Sequence, residues 1–190
     1  MTLVGWYLRR GIPWMPLLGC CAGAVVLAVA LGAWPSTALV LLPALLAACA
    51  GAAAFCFDEV ALPVVEVTPR GATWRRTARL AVALLPLGLW AVFVTVSDLP
   101  LSLGAWWMVG LAAVALTVGL AALASRHAVP TPGGSLAAGI VLAVISPVVI
   151  CAFLGWDSLY PMDDFTTGVL TFWLAVAGAG ALACAAALRN

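Results

Sequence analysis

Asp157, Asp163 and Asp164 place three carboxylates within eight residues, the kind of loop that could hold a divalent cation. A hard cation such as Ca²⁺ takes about six to eight oxygens, so three acids read better as a solvated acidic loop, and no metal is expected. A second charged constellation is longer. Asp58, Glu59 and Glu66 alternate with Val60, Leu62, Val64, Val65 and Val67, and Arg70, Arg75, Arg76 and Arg79 follow. Apolar anchors ringed by charge are the chemistry of a protein-docking surface rather than of catalysis. Within it Thr68-Pro69 has the form of a helix N-cap with Pro at the first helical position, which places Arg70, Trp74 and Arg75 on neighbouring helical turns. The alternative for this stretch is a solvated loop anchored by arginines that reach for the membrane surface.

Catalytic constellations find no support. His127 is the sole histidine, so haem ligation by a histidine pair is excluded and a histidine-based metal site is not expected. The chain has no lysine, which removes Ser–Lys catalysis, and it contains neither G-x-S-x-G nor H-E-x-x-H nor a Walker-type phosphate loop. Cys20, Cys21, Cys49, Cys56, Cys151 and Cys184 all lie in apolar runs without a C-x-x-C pair and read as small buried hydrophobes. Neither enzymatic activity nor a cofactor is expected, and nothing points to nucleic acid.

The elements that carry these residues are set by hydropathy. The 190 residues are 66% hydrophobic and 8% charged, with mean hydropathy +1.20, where soluble domains are closer to about 45–50% apolar and 25% charged. Six apolar runs, about 15–33, 37–57, 79–97, 104–124, 135–155 and 167–187, are each long enough to cross a bilayer. The expected fold is all-α: a polytopic bundle of six transmembrane helices over 15–190, preceded by an interfacial amphipathic segment at 1–14 that bears Trp6, Tyr7, Arg9, Arg10 and Trp14. Pro13 and Pro16 separate that segment from the first span, and Pro43, Pro86 and Pro147 lie within spans 2, 3 and 5. Arg79 marks the boundary of span 3, and no span holds a charged residue in its interior. Ion and proton paths usually need one, so the expected cargo is amphipathic, lipid-like or peptide-like.

Charge orients the bundle. All eight cationic residues, Arg9, Arg10, Arg70, Arg75, Arg76, Arg79, Arg126 and Arg189, fall before span 1, after span 6, or in the connections between spans 2 and 3 and between spans 4 and 5. Asp98, Asp157, Asp163 and Asp164 fall in the other connections. The positive-inside rule then puts both termini in the cytoplasm, with the 58–78 segment as the longest cytoplasmic connection. The lack of lysine and the dominance of Ala, Leu and Val suggest a GC-rich bacterial genome, so a bacterial cytoplasmic membrane is the expected location. Small residues mark close helix approaches: Gly19-x-x-x-Gly23 in span 1, serving either the monomer or a dimer face, and the Ala/Gly-rich span 6.

The stretch F-D-E-x-A-L-P…E-V-T-P-R…W-R-R-T-A-R-L after span 2 resembles that of small six-span permease subunits of bacterial ABC transporters, particularly the compact ABC-2-like ones of actinobacteria. The resemblance extends to layout: an amphipathic start, six spans, both termini inside, and a cytoplasmic loop between spans 2 and 3 that seats the coupling helix on a separate ATPase. It implies that Asp58, Glu59, Val60, Leu62, Val64 and Glu66 are coupling-loop contacts, bordered by Arg70, Arg75, Arg76 and Arg79. The partners it implies are a cytosolic ATPase subunit and a second permease copy or homologue, within membrane lipid. Two other readings stay open. One is a substrate-binding component of a vitamin-type importer, with Ala24-x-x-x-Ala28 as its contact to a scaffold subunit. The other is a non-catalytic accessory subunit of a membrane complex.

Overall fold

In the computed structural model, residues 3–58, 72–97, 99, 101–126, 131–161 and 166–189 are described. They form seven α-helices and, among the described residues, no strand: α1 (Leu3–Gly11), α2 (Trp14–Ala33), α3 (Ala38–Ala54), α4 (Ala72–Val96), α5 (Leu103–Arg126), α6 (Gly133–Leu154) and α7 (Thr167–Leu188). Short 3₁₀ turns flank α3 at Pro35–Thr37 and Phe55–Phe57. Six helices, α2 to α7, are long and apolar enough to cross a membrane. In hydrocarbon each backbone polar group must be satisfied within the chain, and a continuous helix does this over an apolar run.

Helix ends follow local chemistry. Trp34 closes α2, Pro35 opens the next turn, and Thr37 Oγ1 donates to the Trp34 carbonyl at 2.7 Å. Gly155, at φ +67°, ends α6 in the left-handed conformation that glycine adopts without strain. Thr166 starts α7 by accepting the Val169 N–H. All six spans match the apolar runs to within two residues at each end. The helix that carries the third, α4, is longer than its span and runs from Ala72. Ala and Arg are good helix formers, so the helix extends beyond the stretch that hydrocarbon would accept. Arg79 therefore lies two turns inside α4.

Spans α3 and α5 form the axis of the bundle. Of the α3 span 67% lies inside the protein and of α5 56%, against 17–33% for the other four. Around this axis α2 and α6 pack on α3, and α4 and α7 pack on α5. The closest approach is α5 on α7. A Cβ added at Gly119 would meet the Gly180 carbonyl oxygen at 2.8 Å, and one at Gly180 would meet the Leu116 backbone nitrogen at 2.6 Å. The expectation that span 6 packs closely is met: Gly180, Ala183 and Cys184 all lie against Gly119 of α5. Gly19 and Gly23 differ: both are exposed and neither would bring a Cβ within 4 Å of anything. Among the described residues they serve no packing. Ala24 is fully buried against the chain's own core, which removes it as an outward contact for a scaffold subunit.

The end of the bundle away from the arginines is held by aromatics. Trp90 Nε1 donates to the Trp106 carbonyl at 3.0 Å, and its ring lies where a Cβ at Gly110 would fall, 2.0 Å from Nε1. Trp106 stacks on Tyr160 at 6.1 Å between centroids, and Tyr160 meets Trp173 at 5.7 Å. These contacts draw the connection after α6 onto the bundle.

Candidate functional site at the arginine end

Four separate elements meet around Arg79. Its Nε donates to Tyr7 Oη at 2.8 Å, and its Nη1 donates to the carbonyls of Phe57 at 2.8 Å and Asp58 at 3.2 Å. The guanidinium also lies 5.5 Å from the centroid of the Tyr7 ring, a cation–π contact. The Asp58 carboxylate turns the other way and accepts the Gly133 backbone N–H at 2.6 Å. Tyr7, Asp58 and Arg79 are each no more than 5% exposed.

Each of these bonds answers a need at a helix end. The last carbonyls of a helix and its first N–H groups have no partner within the helix. Phe57 and Asp58 end the span that runs from Pro35, and Arg79 of α4 supplies their donor. Gly133 opens α6, where Pro132 offers no side-chain cap, and Asp58 supplies the acceptor. A cation thus sits at a helix C-terminus and an anion at a helix N-terminus, both signs favoured by the helix dipoles. Glycine at 133 makes room for the bond, because a Cβ there would lie 2.4 Å from Asp58 Oδ2 and would push the carboxylate aside. Arg126 repeats the arrangement at the end of α5, where its Nη1 donates to the Ala186 carbonyl in the last turn of α7.

Burial raises the Asp58 carboxyl above its ordinary range; the Gly133 N–H and the nearby Arg79 charge both pull it back down. Trp14 completes the cluster's edge by donating from Nε1 to the Leu8 carbonyl at 3.1 Å, which ties α1 to the start of α2.

Of the residues expected to form a docking loop, Asp58 is buried and its carboxylate is engaged inside the fold. Glu59, Val60, Leu62, Val64, Glu66 and Arg70 lie outside the described residues, as does the Thr68-Pro69 helix start. Arg75 and Arg76 lie on the first turns of α4. Asp157 is exposed, while His127, Asp98, Asp163 and Asp164 lie outside the described residues. Neither Tyr7 nor Gly133 is found by sequence reasoning: the type and place of Tyr7 suit an interfacial anchor, and it faces the protein instead. No signal in the sequence marks Gly133, since Thr131-Pro132 ahead of it has the form of an ordinary helix cap; only in the structure is the end without a local side-chain cap.

A recess of about 570 Å³ opens between α2 and α4, with Val29, Leu45, Leu89, Val92 and Phe93 among its walls. Its size is that of a small-molecule site, and its lining is almost wholly apolar. No family model, curated protein or solved structure matches the chain. The fold and the site define a multi-pass α-helical membrane protein.

Proposed function

We propose that this chain is the permease subunit of an ABC-type transporter in a bacterial cytoplasmic membrane, with both termini and the 58–78 segment on the cytoplasmic side. A separate ATPase docks on that segment, and a second permease copy or homologue completes the pathway. One observation carries the reading. Asp58, which opens the segment, and Arg79, which follows it directly, are bonded into the cluster that joins α1, α3, α4 and α6. A movement imposed on the segment by a docked protein therefore reaches four elements at once, which is what a coupling loop requires. The apolar recess between α2 and α4 suits the amphipathic cargo that spans without charge imply.

The test is co-purification from native membranes in mild detergent. Wild-type protein is expected to bring down a cytosolic protein that carries G-x-x-x-x-G-K-[ST]. The pair Glu59→Arg and Glu66→Arg is expected to lose that protein while still inserting normally. An ATPase that stays bound to the double variant, or membrane partners alone in the wild type, overturns the reading.

A further inference from the structure

A smaller cavity near the aromatic end lies apart from both the arginine cluster and the recess described above. It occupies about 120 Å³ in the cleft between α6 and α7, with α5 behind it. The cleft exists because α6 packs chiefly on α3 while α7 packs chiefly on α5. Ala113, Val144, Pro147, Tyr160, Phe172 and Trp173 contribute to its wall.

The wall's polar handles are already used. Tyr160 Oη donates to the Val144 carbonyl at 2.5 Å, next to the point where Pro147 interrupts the helix ladder. Trp173 Nε1 donates to the Leu159 carbonyl at 2.8 Å. A space lined this way offers water no set of two to four polar partners and stays dry. A dry cavity of about 150 Å³ in another protein takes up benzene, and this one has comparable size. Three aromatic rings border it. Tyr160 and Trp173 meet at an interplanar angle of 50°, and Phe172 stands at 83° to Trp173, so the rings are not parallel and a planar guest stacked on one is inclined to the others, an arrangement aromatic pairs favour. Phe172 and Ala143 at the rim are exposed on the outer surface of the bundle, which gives access from the surrounding hydrocarbon.

We infer that this cavity is a binding site for one aromatic hydrocarbon ring of a membrane-dissolved molecule. Tyr160 and Trp173 form its roof, and their hydroxyl and indole N–H hold that roof to α6 and to the connecting segment. The inference is independent of the permease reading.

The experiment uses the full chain in detergent and fluorobenzene as the probe, followed by ¹⁹F NMR, with empty micelles as the partition control. Saturable binding of one equivalent is expected, displaced by benzene and much less by n-hexane. Ala143→Leu fills the mouth and should weaken binding by about tenfold or more, a loss of about 1.4 kcal/mol. Phe153→Leu, on the outward face of α6, should leave it unchanged. Should Ala143→Leu fail to fold, Val176→Leu serves as the filling variant. Uptake that is non-saturable, or indifferent to the filling variant, overturns the site. Displacement by n-hexane or by phospholipid as effective as by benzene overturns the aromatic preference and makes the cavity a slot for an acyl chain.

Discussion

The carboxylate of Asp58, at the end of one span, caps the first N–H of another at Gly133, 2.6 Å away and 75 residues further along the chain. Local sequence at the start of α6 supplies no substitute. Asp58→Ala is expected to lower stability by about 0.5–2 kcal/mol, the ordinary worth of a helix cap. Gly133→Ala should cost at least as much, because the new methyl group displaces the same carboxylate. Thermal unfolding in detergent measures both, and an unchanged midpoint in either variant would contradict the role given to the bond.

The pH dependence of stability should carry the mark of Asp58. Its carboxyl is raised in the folded protein, chiefly by burial, so folding favours the protonated form. The corresponding stability is fully present below the ordinary carboxylate range and is lost as pH rises through the raised value. The unfolding midpoint is expected to fall over that window, and Asp58→Asn should flatten the fall. A midpoint that rises with pH over the same window in the wild type, and not in Asp58→Asn, would show the opposite sign.

Arg79 holds α1 through Tyr7. Arg79→Lys removes the fork that reaches Tyr7 and two carbonyls together, and each lost bond to the charged group is worth about 1.5–3 kcal/mol. Hydrogen exchange over residues 3–11 is expected to quicken in Arg79→Lys, and less so in Tyr7→Phe, which keeps the ring against the guanidinium but loses the hydroxyl. Equal protection in all three proteins would mean that α1 is held by other contacts.

Glycines of similar sequence context should behave oppositely. Gly119→Ala and Gly180→Ala each drive a methyl group into a facing helix backbone and should destabilise by about 1–3 kcal/mol. Gly19→Ala and Gly23→Ala meet open space and should leave the unfolding of the monomer unaltered or slightly improved, since alanine is the better helix former. Sedimentation in detergent separates a second effect: if the Gly19–Gly23 face joins two copies, leucine at both positions lowers self-association without lowering monomer stability.

Much of the fold was legible because hydrocarbon imposes a simple length and composition rule. Six spans followed from hydropathy alone. Hydropathy did not mark the helix ahead of span 3, because ATWRRTA is a good helix and a poor span at once; the Thr68-Pro69 pair did point to helical turns through Trp74 and Arg75, which α4 contains. The candidate site was legible in part. Asp58 and Arg79 stood out as the charged residues flanking the longest connection, yet they were read as a surface contact and a boundary marker.

The sequence by itself determined the class of this protein, the number of its spans and the single end at which its arginines gather. The membrane demands these of the chain one segment at a time, without reference to neighbouring helices. Only the tertiary structure decided which side of each span is buried, since α2, α3, α6 and α7 are apolar all the way round and carry no stripe that points to a partner. It also decided what the polar residues at the ends of the spans do. Arg79, Asp58 and Tyr7 turn inward because helix ends far apart in sequence leave backbone groups unsatisfied, and close packing brings their side chains within reach of them.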